Sequence, residues 1–478
     1  MGRMFGTDGV RGVAGRDLTA RLAMDLAVAA VPVLASVTAE SPRPVAVIGR
    51  DSRASGDFLE AAVVAGLASS GVDVFRLGII PTPGVAYLTG ALDANFGVVL
   101  SASHNPAQDN GIKFFGRGGV KLADETEDEI EARFRAAAPN GKPETEAADG
   151  IGEPAHGGFG RVTDAYSKHE AYLDHLLGTL TVPEDGRAPL AGLRIVVDCA
   201  HGAAYSIGPR ALRRAGAEVI AIGAAPDGLN INAGCGSTHL DTLAAAVVEH
   251  GADGGIAFDG DADRCLAVDA DGQPLDGDQI LAVLASQLKA SGQLTGDAVV
   301  VTVMSNLGFH DAMREIGVTV VQTPVGDKHV YAAMRDSGYV LGGEQSGHII
   351  QMGHATTGDG VLTALHLLAA VNRAGAPISA AAKMTRYPQV LLNVRGDKER
   401  AMANPGLDPA VRAARAALGD SGRVLLRPSG TEPAIRVMVE ARDGTVAERL
   451  ASQLAEAVRL AMRGEPAGAI GQALHWQP

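Results

Sequence analysis

The chain has 478 residues, which suffices for three or four domains of roughly 100–150 residues each and excludes a single small fold. Its formal net charge of −14 argues against nucleic acid as a partner, because nucleic-acid binding needs a basic face. The longest stretch without a charged residue, 77–92, contains two prolines and is shorter than the roughly 18 apolar residues of a membrane span, so we expect a soluble, cytoplasmic protein with no membrane partner.

Strand and helix patterns alternate three times along the chain. In each case a short apolar run is followed by apolar residues at helical spacing and then by a second apolar run. The predicted strand, helix and strand of each unit span 45–48, 58–70 and 72–77; 193–200, 207–215 and 217–222; and 298–303, 309–316 and 318–323. Three units of one kind indicate three similar α/β layers with mainly parallel strands.

The last part of the chain has a different pattern. Strands predicted at 389–394 and 424–426 flank a helix at 409–418, and a further strand at 435–441 precedes a closing helix at 446–462. This order predicts a smaller α+β module after the three α/β layers.

The segment 101–106, Ser-Ala-Ser-His-Asn-Pro, follows an apolar run at 95–100. A strand that ends in small polar residues and a Pro-terminated turn presents a hydroxyl at an edge, where backbone N–H groups are free to bind an anion. Either serine of this segment is therefore a candidate phosphate carrier. Arg11, in a Gly-rich segment, and Lys113, just after the turn, would offset the charge of a phosphoserine.

Three carboxylates alternate with small residues in the segment 259–264, Asp-Gly-Asp-Ala-Asp-Arg, which lies between strands predicted at 255–258 and 265–268. Carboxylates at i, i+2 and i+4 in a tight loop can converge on one hard cation, and they would repel one another without it. The spacing therefore predicts an Mg²⁺ site at Asp259, Asp261 and Asp263.

A Gly-flanked loop at 342–348 follows a strand predicted at 339–341. It offers a carboxylate, a hydroxyl and an imidazole from Glu344, Ser346 and His348. Each hydroxyl of a sugar needs both a donor and an acceptor, so this set of side chains favours a sugar as ligand.

The segment 427–433, Arg-Pro-Ser-Gly-Thr-Glu-Pro, lies between two strand-like segments. Its arginine can bind a phosphate through two N–H groups, its serine and threonine add hydroxyls, and its glycine lets backbone N–H groups approach closely. Arg436 lies three residues beyond and adds charge. The composition is typical of a site for a phosphate monoester.

Taken together, five segments of the chain resemble the α-D-phosphohexomutase superfamily, and most closely its branch that acts on glucosamine phosphates. They are 5–12, 101–106, 259–264, 343–348 and 427–433, in family order and spanning nearly the whole chain. The resemblance implies an α/β fold with three related mixed-sheet α/β domains plus a C-terminal α+β, TBP-like domain around a central cleft. The implied domains are a phosphoserine domain at 1–152, a metal-binding domain at 153–272, a sugar-binding domain at 273–383 and a phosphate-binding domain at 384–478, with 139–160 as a candidate linker.

The resemblance also assigns roles to individual residues. Ser103 is the implied phosphoserine, and the implied metal ligands are Ser103, Asp259, Asp261 and Asp263. The implied helpers at the reacting centre are Arg11, Lys113 and Arg264, and the implied sugar contacts are Glu344, Ser346 and His348. The residues implied to bind the phosphate that is not transferred are Arg427, Ser429, Gly430, Thr431 and Arg436.

The implied reaction passes the phosphoryl group of Ser103 to O1 of glucosamine 6-phosphate, forming a 1,6-bisphosphate whose 6-phosphate then returns to the serine. Mg²⁺ is the implied cofactor, and a hexosamine or hexose 1,6-bisphosphate is the implied activator and intermediate. The partner is then a small sugar phosphate, with a homodimer left open, and the product supplies amino-sugar nucleotide (UDP-N-acetylglucosamine) and cell-wall precursor synthesis.

Several alternatives remain beside this interpretation. Within the superfamily the chain would be a phosphomannomutase or phosphoglucomutase. Outside it, a haloacid-dehalogenase-like enzyme would carry its phosphate on Asp259, a serine phosphatase would pass the phosphoryl group to water, and a non-enzymatic sensor would only bind the sugar phosphate.

Two positions bear on the choice of branch. The glucosamine branch carries Val-Gly-Asp-Arg-Tyr-Val in the third domain, whereas this chain has Lys328 and His329 at 325–330, which keeps a cation but loses the arginine fork. Gln345 favours the glucosamine branch, because methionine is usual there in the phosphomannomutase and phosphoglucomutase relatives.

Overall fold

The computed structural model of the chain describes residues 3–6, 8–35, 43–137, 158–381, 384–429 and 433–465. The chain divides into two compact units, Met1–Met304 with Val318–Lys383, and Ser305–Gly317 with Met384–Pro478. Most of the predicted linker at 139–160 lies outside the described residues. Within the described residues, no helix combines the length and the apolar character needed to cross a membrane.

The first sheet of the first unit has four parallel strands and an antiparallel side. Its strands are β1 (Val10–Val13), β2 (Val45–Arg50), β3 (Asp73–Ile79), β4 (Phe96–Leu100), β5 (Asp109–Gly116), β6 (Val120–Lys121) and β7 (Val162–Asp164). The helices of this part are α1 (Ala20–Leu34), α2 (Ser55–Ser69), α3 (Thr82–Ala91), α4 (Asp124–Ala137) and α5 (His169–Gly178). The strand order is β1-β5-β4-β2-β3-β7, with β6 beside β5, and β5 runs antiparallel to its three neighbours. The predicted unit at 45–77 is confirmed by β2, α2 and β3.

The second sheet has the order β12-β11-β10-β8-β9. Its strands are β8 (Arg194–Asp198), β9 (Glu218–Ile222), β10 (Gly254–Phe258), β11 (Cys265–Asp269) and β12 (Pro274–Leu275), and its helices are α6 (Ala204–Arg214) and α7 (Asp241–His250). β8 pairs in parallel with β9 and β10, whereas β10 and β11 form a hairpin in which Phe258 faces Cys265. The segment 259–264 is therefore the turn of this hairpin.

The third sheet has the order β14-β13-β15-β16. Its strands are β13 (Ala298–Thr302), β14 (Thr319–Thr323), β15 (Leu341–Gly343) and β16 (Ile349–Gln351). The helices of this stretch are α8 (Gly277–Ala290), α9 (Leu307–Glu315), α10 (Asp327–Ser337), α11 (Gly360–Ala374) and α12 (Ile378–Ala381), of which α9 is grouped with the second unit. β13 is parallel to β14 and β15, and β15 and β16 form a hairpin, so 344–348 is again a hairpin turn.

Each of the three sheets thus joins a parallel core to an antiparallel side, as the mixed-sheet expectation requires. The core strands read as near-continuous apolar runs, which is typical of parallel strands that are buried on both faces. β4, β10 and β13 illustrate this, since every residue of the three is buried. Polar residues occur instead in the loops that follow these strands, and the candidate site residues lie in those loops.

The second unit holds the predicted α+β module. Its strands β17 (Gln389–Arg395), β18 (Gly422–Pro428) and β19 (Ala434–Ala441) form an antiparallel sheet in the order β17-β19-β18. Its helices are α13 (Lys398–Met402), α14 (Leu407–Leu418) and α15 (Gly444–Arg463). Alternate residues of β19 pack with the apolar faces of α14 and α15 in one buried cluster.

Candidate active site

Ser103 lies in the serine loop, residues 101–106, directly after the buried strand β4. The residue is 1% exposed and adopts a left-handed backbone conformation with φ of 52°, which is uncommon for any residue other than glycine. Its N–H donates to Oγ of Ser101 at 2.9 Å, and that hydroxyl donates to Oδ2 of Asp51 at 2.6 Å. The strained conformation is held from within the loop and from the end of β2.

Two further side chains fix the backbone of the serine loop. Arg53, which is fully buried, donates to the carbonyl oxygens of Ser103 at 2.9 Å and Asn105 at 2.8 Å, and it pairs with Asp51 at 2.8 Å. The Nδ2 of Asn232, from the second layer, donates to the same two carbonyl oxygens at 2.9 and 3.0 Å. A loop held by so many donors presents its serine in one orientation.

The carboxylate loop, residues 259–264, faces the Ser103 hydroxyl. Oγ of Ser103 donates to Oδ2 of Asp259 at 2.5 Å. One carboxylate oxygen from each of Asp259, Asp261 and Asp263 lies within 4.8 Å of the others, and all three residues are buried. Burial, with the charges of Asp263 and Asp261, raises the pKa of Asp259 well above its usual range.

This donor set fits a divalent cation. Oδ1 of Asp261 and Oδ1 of Asp263 are buried and have no hydrogen-bond partner. Buried carboxylate oxygens without partners are costly, and three carboxylates this close repel one another. A hard cation with oxygen ligands, such as Mg²⁺, would satisfy the free oxygens and remove the repulsion.

Three predicted cations lie around the serine and carboxylate loops. Lys113, on β5, places Nζ 2.8 Å from Oδ2 of Asp261; burial lowers its pKa, but Asp261 and a second carboxylate outweigh this and raise it. Arg264 places Nε of its guanidinium 3.8 Å from Oδ1 of Asp263, and its backbone N–H donates to Oδ1 of Asp259 at 3.3 Å. Arg11 donates from Nη1 to the carbonyl oxygen of Ala102 at 3.4 Å. Positive charge therefore surrounds the Ser103 hydroxyl.

The 344–348 loop lies against the start of β11. Gly347 has a φ of +88°, and a Cβ on it would lie 2.4 Å from the carbonyl oxygen of Cys265, so only glycine permits this approach. Within the loop, Oγ of Ser346 donates to Oε2 of Glu344 at 3.4 Å. His348 is buried, and its Nδ1 lies 3.4 Å from Oδ2 of Asp263. The hairpin turns of the second and third sheets therefore meet at one place.

The segment 427–433 belongs to the second unit and begins where β18 ends. Arg427 and Arg436 lie directly opposite each other on β18 and β19. Burial and the charge of Arg436 lower the pKa of Arg427, and no described carboxylate lies within ion-pair distance of either arginine. Like charges directly opposite are destabilising, so this pair fits an anion as ligand. Ser429 is buried, while Gly430 and Thr431 lie outside the described residues.

Two further side chains lie at the site: Thr82, which the sequence does not single out, and His104, which adjoins Ser103 in sequence and is expected to be a loop residue without a catalytic role. Thr82, the first residue of α3, donates its N–H to the carbonyl oxygen of Asp261 at 2.9 Å and its hydroxyl to Oδ2 at 2.7 Å. His104 places Nδ1 3.4 Å from Oγ of Ser103, and burial with the charges of two arginines lowers its pKa to about 4. The only sequence signal for such residues is their position at strand and helix ends, where polar side chains collect.

Asp8, Lys121 and Asp327 also lie at the site without having been singled out. Asp8 receives Nη2 of Arg11 at 2.5 Å and Nζ of Lys113 at 2.7 Å. Lys121 bonds Asp8 at 3.2 Å and pairs with Asp327. Asp8 lies inside the Gly-rich segment 5–12, and Asp327 next to Lys328, so both were within motifs already under consideration.

Four models of one family match successive parts of the chain. They describe the phosphoglucomutase/phosphomannomutase alpha/beta/alpha domain I over residues 2–140, domain II over 170–272, domain III over 276–387 and the C-terminal domain over 391–457.

Curated relatives match over nearly the full length. A phosphoglucosamine mutase of Thermobifida fusca is 61% identical over 461 residues, covering 96% of this chain and 98% of the relative. A phosphoglucosamine mutase of Mycolicibacterium paratuberculosis is 57% identical over 463 residues, covering 96% of this chain and all of the relative.

Solved structures share the fold. A phosphoglucomutase/phosphomannomutase family protein of Burkholderia thailandensis superposes with a TM-score of 0.77 at 24% identity, covering 97% of this chain and 98% of that chain. An N-acetylphosphoglucosamine mutase of Aspergillus fumigatus, solved with GlcNAc-6P and magnesium, superposes with a TM-score of 0.63 at 20% identity, covering 96% of both chains.

Proposed function

Because the chain belongs to the phosphoglucomutase/phosphomannomutase family, we propose that this enzyme interconverts glucosamine 6-phosphate and glucosamine 1-phosphate. The choice of sugar is supported by full-length relatives at 57–61% identity that are named phosphoglucosamine mutase. The observation that carries the chemistry is the contact of 2.5 Å between the Ser103 hydroxyl and Asp259, beside two buried carboxylate oxygens that have no hydrogen-bond partner.

In this proposal Ser103 carries the phosphoryl group. Its P–O bond breaks as O1 of glucosamine 6-phosphate forms a new one, which gives a 1,6-bisphosphate, and the serine oxygen then takes the 6-phosphoryl group. The proton released from the attacking hydroxyl in each transfer returns to the oxygen that leaves in that transfer, so the cycle needs no outside reactant. Phosphoryl transfer depends on positioning and charge neutralisation more than on covalent chemistry, and the serine loop supplies the positioning.

The neutralising charges come from groups that surround the serine. Asp259, Asp261 and Asp263, with the phosphate on Ser103, would hold Mg²⁺, which when bound supplies positive charge to the phosphoryl oxygens. Lys113, Arg264 and Arg11 add fixed cations. The result is a site where charge that develops in transfer meets groups already in place.

Recognition of the rest of the substrate is assigned to two loops. Glu344, Ser346 and His348 would pair with hydroxyls of the sugar, because they combine donors and acceptors in one short turn. The phosphate that is not transferred would bind the opposed pair Arg427 and Arg436, with Ser429, Gly430 and Thr431. An enzyme whose substrate carried only the phosphate transferred at Ser103 would not need this second anion site.

The wider assignment follows from the same family. We propose domains at 1–152, 153–272, 273–383 and 384–478, and the ends of the matching family models support these divisions. A hexosamine or hexose 1,6-bisphosphate is the proposed activator, because it can transfer one phosphoryl group to the free hydroxyl of Ser103 and then leaves as the corresponding monophosphate. We also propose that the enzyme is cytoplasmic and has no nucleic-acid or membrane partner, with a homodimer left open. Its product would supply amino-sugar nucleotide and cell-wall precursor synthesis.

Side-by-side kcat/KM for glucosamine, glucose and mannose 6-phosphates tests the proposal. We expect glucosamine 6-phosphate to be preferred, and a preference for mannose or glucose would make the chain a phosphomannomutase or phosphoglucomutase. Ser103→Ala should abolish turnover while sugar-phosphate binding remains measurable by calorimetry. An active Ser103→Ala variant, acyl phosphate on Asp259, or release of inorganic phosphate in place of the 1-phosphate would each contradict the mechanism.

A further inference from the structure

Seven ionisable side chains form a continuous series of contacts that begins at one aspartate of the carboxylate loop and ends at another aspartate of the same loop. Its members, which we call the charge chain, are in order Asp261, Lys113, Asp8, Lys121, Asp327, His348 and Asp263. They come from all three sheets of the first unit and their connections, and each side chain is at most 20% exposed. The three in the middle, Asp8, Lys121 and Asp327, have no role in the proposed function.

The first half of the charge chain connects the first sheet to α10. Nζ of Lys113 lies 2.8 Å from Oδ2 of Asp261 and 2.7 Å from Oδ2 of Asp8. Nζ of Lys121 lies 3.2 Å from Oδ1 of Asp8 and also pairs with Oδ2 of Asp327. Lys121 therefore joins a carboxylate that precedes β1 to one at the start of α10.

The second half of the charge chain passes through the imidazole of His348. Oδ2 of Asp327 lies 3.6 Å from Nε2, and Oδ2 of Asp263 lies 3.4 Å from Nδ1. Nε2 also lies 3.1 Å from the backbone N of Gly358. The ring is thus fixed between two carboxylates and a backbone donor.

The start of α10 contacts both ends of the 344–348 loop. Gly326 donates its N–H to Oε1 of Glu344 at 3.2 Å, and the next residue, Asp327, faces His348. Oδ1 of Asp327, the first residue of α10, also accepts the N–H of the next residue, Lys328, at 2.7 Å. The 344–348 loop therefore takes its position partly from residues 326–327, which are held in turn by Lys121.

We propose that Asp327, held by Lys121, is a positioning residue that fixes His348 between itself and the carboxylate loop during phosphoryl transfer. The inference rests on the proposed function and extends it to residues that touch neither the serine nor the metal ligands directly. A shift of about 1 Å in a positioned group can slow a reaction by about 100-fold, so loss of one link should act mainly on kcat.

A neighbouring ion pair provides a matched control. Nζ of Lys328 lies 2.6 Å from Oδ1 of Asp124, so it joins the same segment to the same layer as Lys121 does. The side chains of Lys328 and Asp124 are 26% and 49% exposed, more than the members of the charge chain, and exposed ion pairs contribute little to stability. If any ion pair between residues 326–328 and the first layer were sufficient to position this segment, loss of Lys328 would lower kcat as much as loss of Lys121.

The test compares Asp327→Asn, His348→Gln, the double variant and Lys328→Met. Asparagine keeps the size of Asp327 and its acceptor for the helix N–H, and removes its charge. kcat and KM are measured with the hexose 6-phosphate that the wild-type protein turns over fastest. We expect kcat of Asp327→Asn to fall about 10- to 100-fold with KM within about threefold of wild type, and Lys328→Met to stay within about threefold in both constants.

The background of His348→Gln separates positioning from a general structural effect. Because Asp327 is proposed to act through His348, Asp327→Asn should cost less than about threefold further in that background. A kcat for Asp327→Asn within threefold of wild type, or an equal loss in both backgrounds, would overturn the proposal. If Asp327→Asn does not fold, as judged by thermal melting, Lys121→Gln is compared in the same two backgrounds. A wild-type protein that turns over no hexose phosphate would instead refute the proposed function.

Discussion

Gly260 lies where the carboxylate loop faces the serine loop, and we predict that Gly260→Ala disables turnover in a folded protein. A Cβ there would lie 2.5 Å from the carbonyl oxygen of Ser103 and 2.8 Å from Nδ2 of Asn232, whereas ordinary contact begins at 3.4 Å. The two loops would have to separate by about 0.9 Å, the difference between the first and last of these distances. Because φ of Gly260 lies outside the left-handed region, alanine adds no backbone strain of its own.

The separation acts on the contact that carries the proposed chemistry. The 2.5 Å hydrogen bond from Ser103 to Asp259 would lengthen beyond the usual limit of about 3.0 Å for O–H···O bonds. We expect kcat to fall about 100-fold, while overpacking reduces the free energy of unfolding by about 1–3 kcal/mol. The assays are steady-state turnover of the hexose 6-phosphate and thermal melting followed by circular dichroism.

The matched control is Gly178→Ala, at the end of α5. A Cβ there meets no atom within 4 Å, so activity and melting temperature should stay close to wild type. A folded Gly260→Ala protein with kcat within threefold of wild type would refute the reasoning, because the loops would then tolerate the separation that the geometry forbids.

Three further predictions concern the metal site, the second anion site and a buried histidine. Asp261→Asn should raise the Mg²⁺ concentration for half-maximal activity at least about tenfold, since a neutral amide replaces a carboxylate ligand; an unchanged Mg²⁺ titration would contradict the metal assignment. Arg427→Gln should raise KM about tenfold or more with a smaller effect on kcat, because a charge-assisted hydrogen bond contributes about 1.5–3 kcal/mol, and an unchanged KM would remove Arg427 from the site. Burial, with smaller contributions from His354 and Arg373, lowers the pKa of His366 to about 4, so its proton binds more readily in the unfolded state and stability is lost as pH falls from 6.5 towards 4. His366→Gln, which can still bond Thr179, should therefore lose about 2 kcal/mol less than wild type between pH 7 and pH 5 in urea unfolding, and equal losses would count against it.

The strand and helix positions followed from the sequence because apolar periodicity is a local property. The predicted strand at 298–303 and the observed β13 (Ala298–Thr302) differ by one residue, and the returning strand predicted at 265–268 is β11. The strand predicted at 339–341 begins two residues too early, since Val340 has the apolar character of a strand but pairing starts at Leu341. The expectation of mainly parallel strands held only for the sheet cores, because an antiparallel pairing depends on which neighbour a strand meets.

The residues of the candidate site also fall into two groups, those that local sequence predicts and those that only tertiary contacts bring together. Carboxylates at alternate positions of one hairpin turn converge by local geometry, so their spacing alone predicts a cluster. Asp8, Lys121 and Asp327 converge only because the fold brings the first and third sheets together, and nothing in the surroundings of Lys121 in sequence marks it. A lone lysine after a short strand is more often a surface charge, and only tertiary contacts distinguish the two cases.

Glycine explains how the loops approach closely enough for such contacts to form. A Cβ on Gly347 would lie 2.4 Å from the carbonyl oxygen of Cys265, and one on Gly360 would lie 2.3 Å from that of Arg264. Gly260 faces the carbonyl of Ser103 in the serine loop, so three close approaches on either side of the carboxylate loop place a glycine against a backbone carbonyl. The high glycine content of the chain, 61 residues, is therefore partly a requirement of the site: a methyl group at any of these junctions would separate loops whose side chains act only when they are in contact.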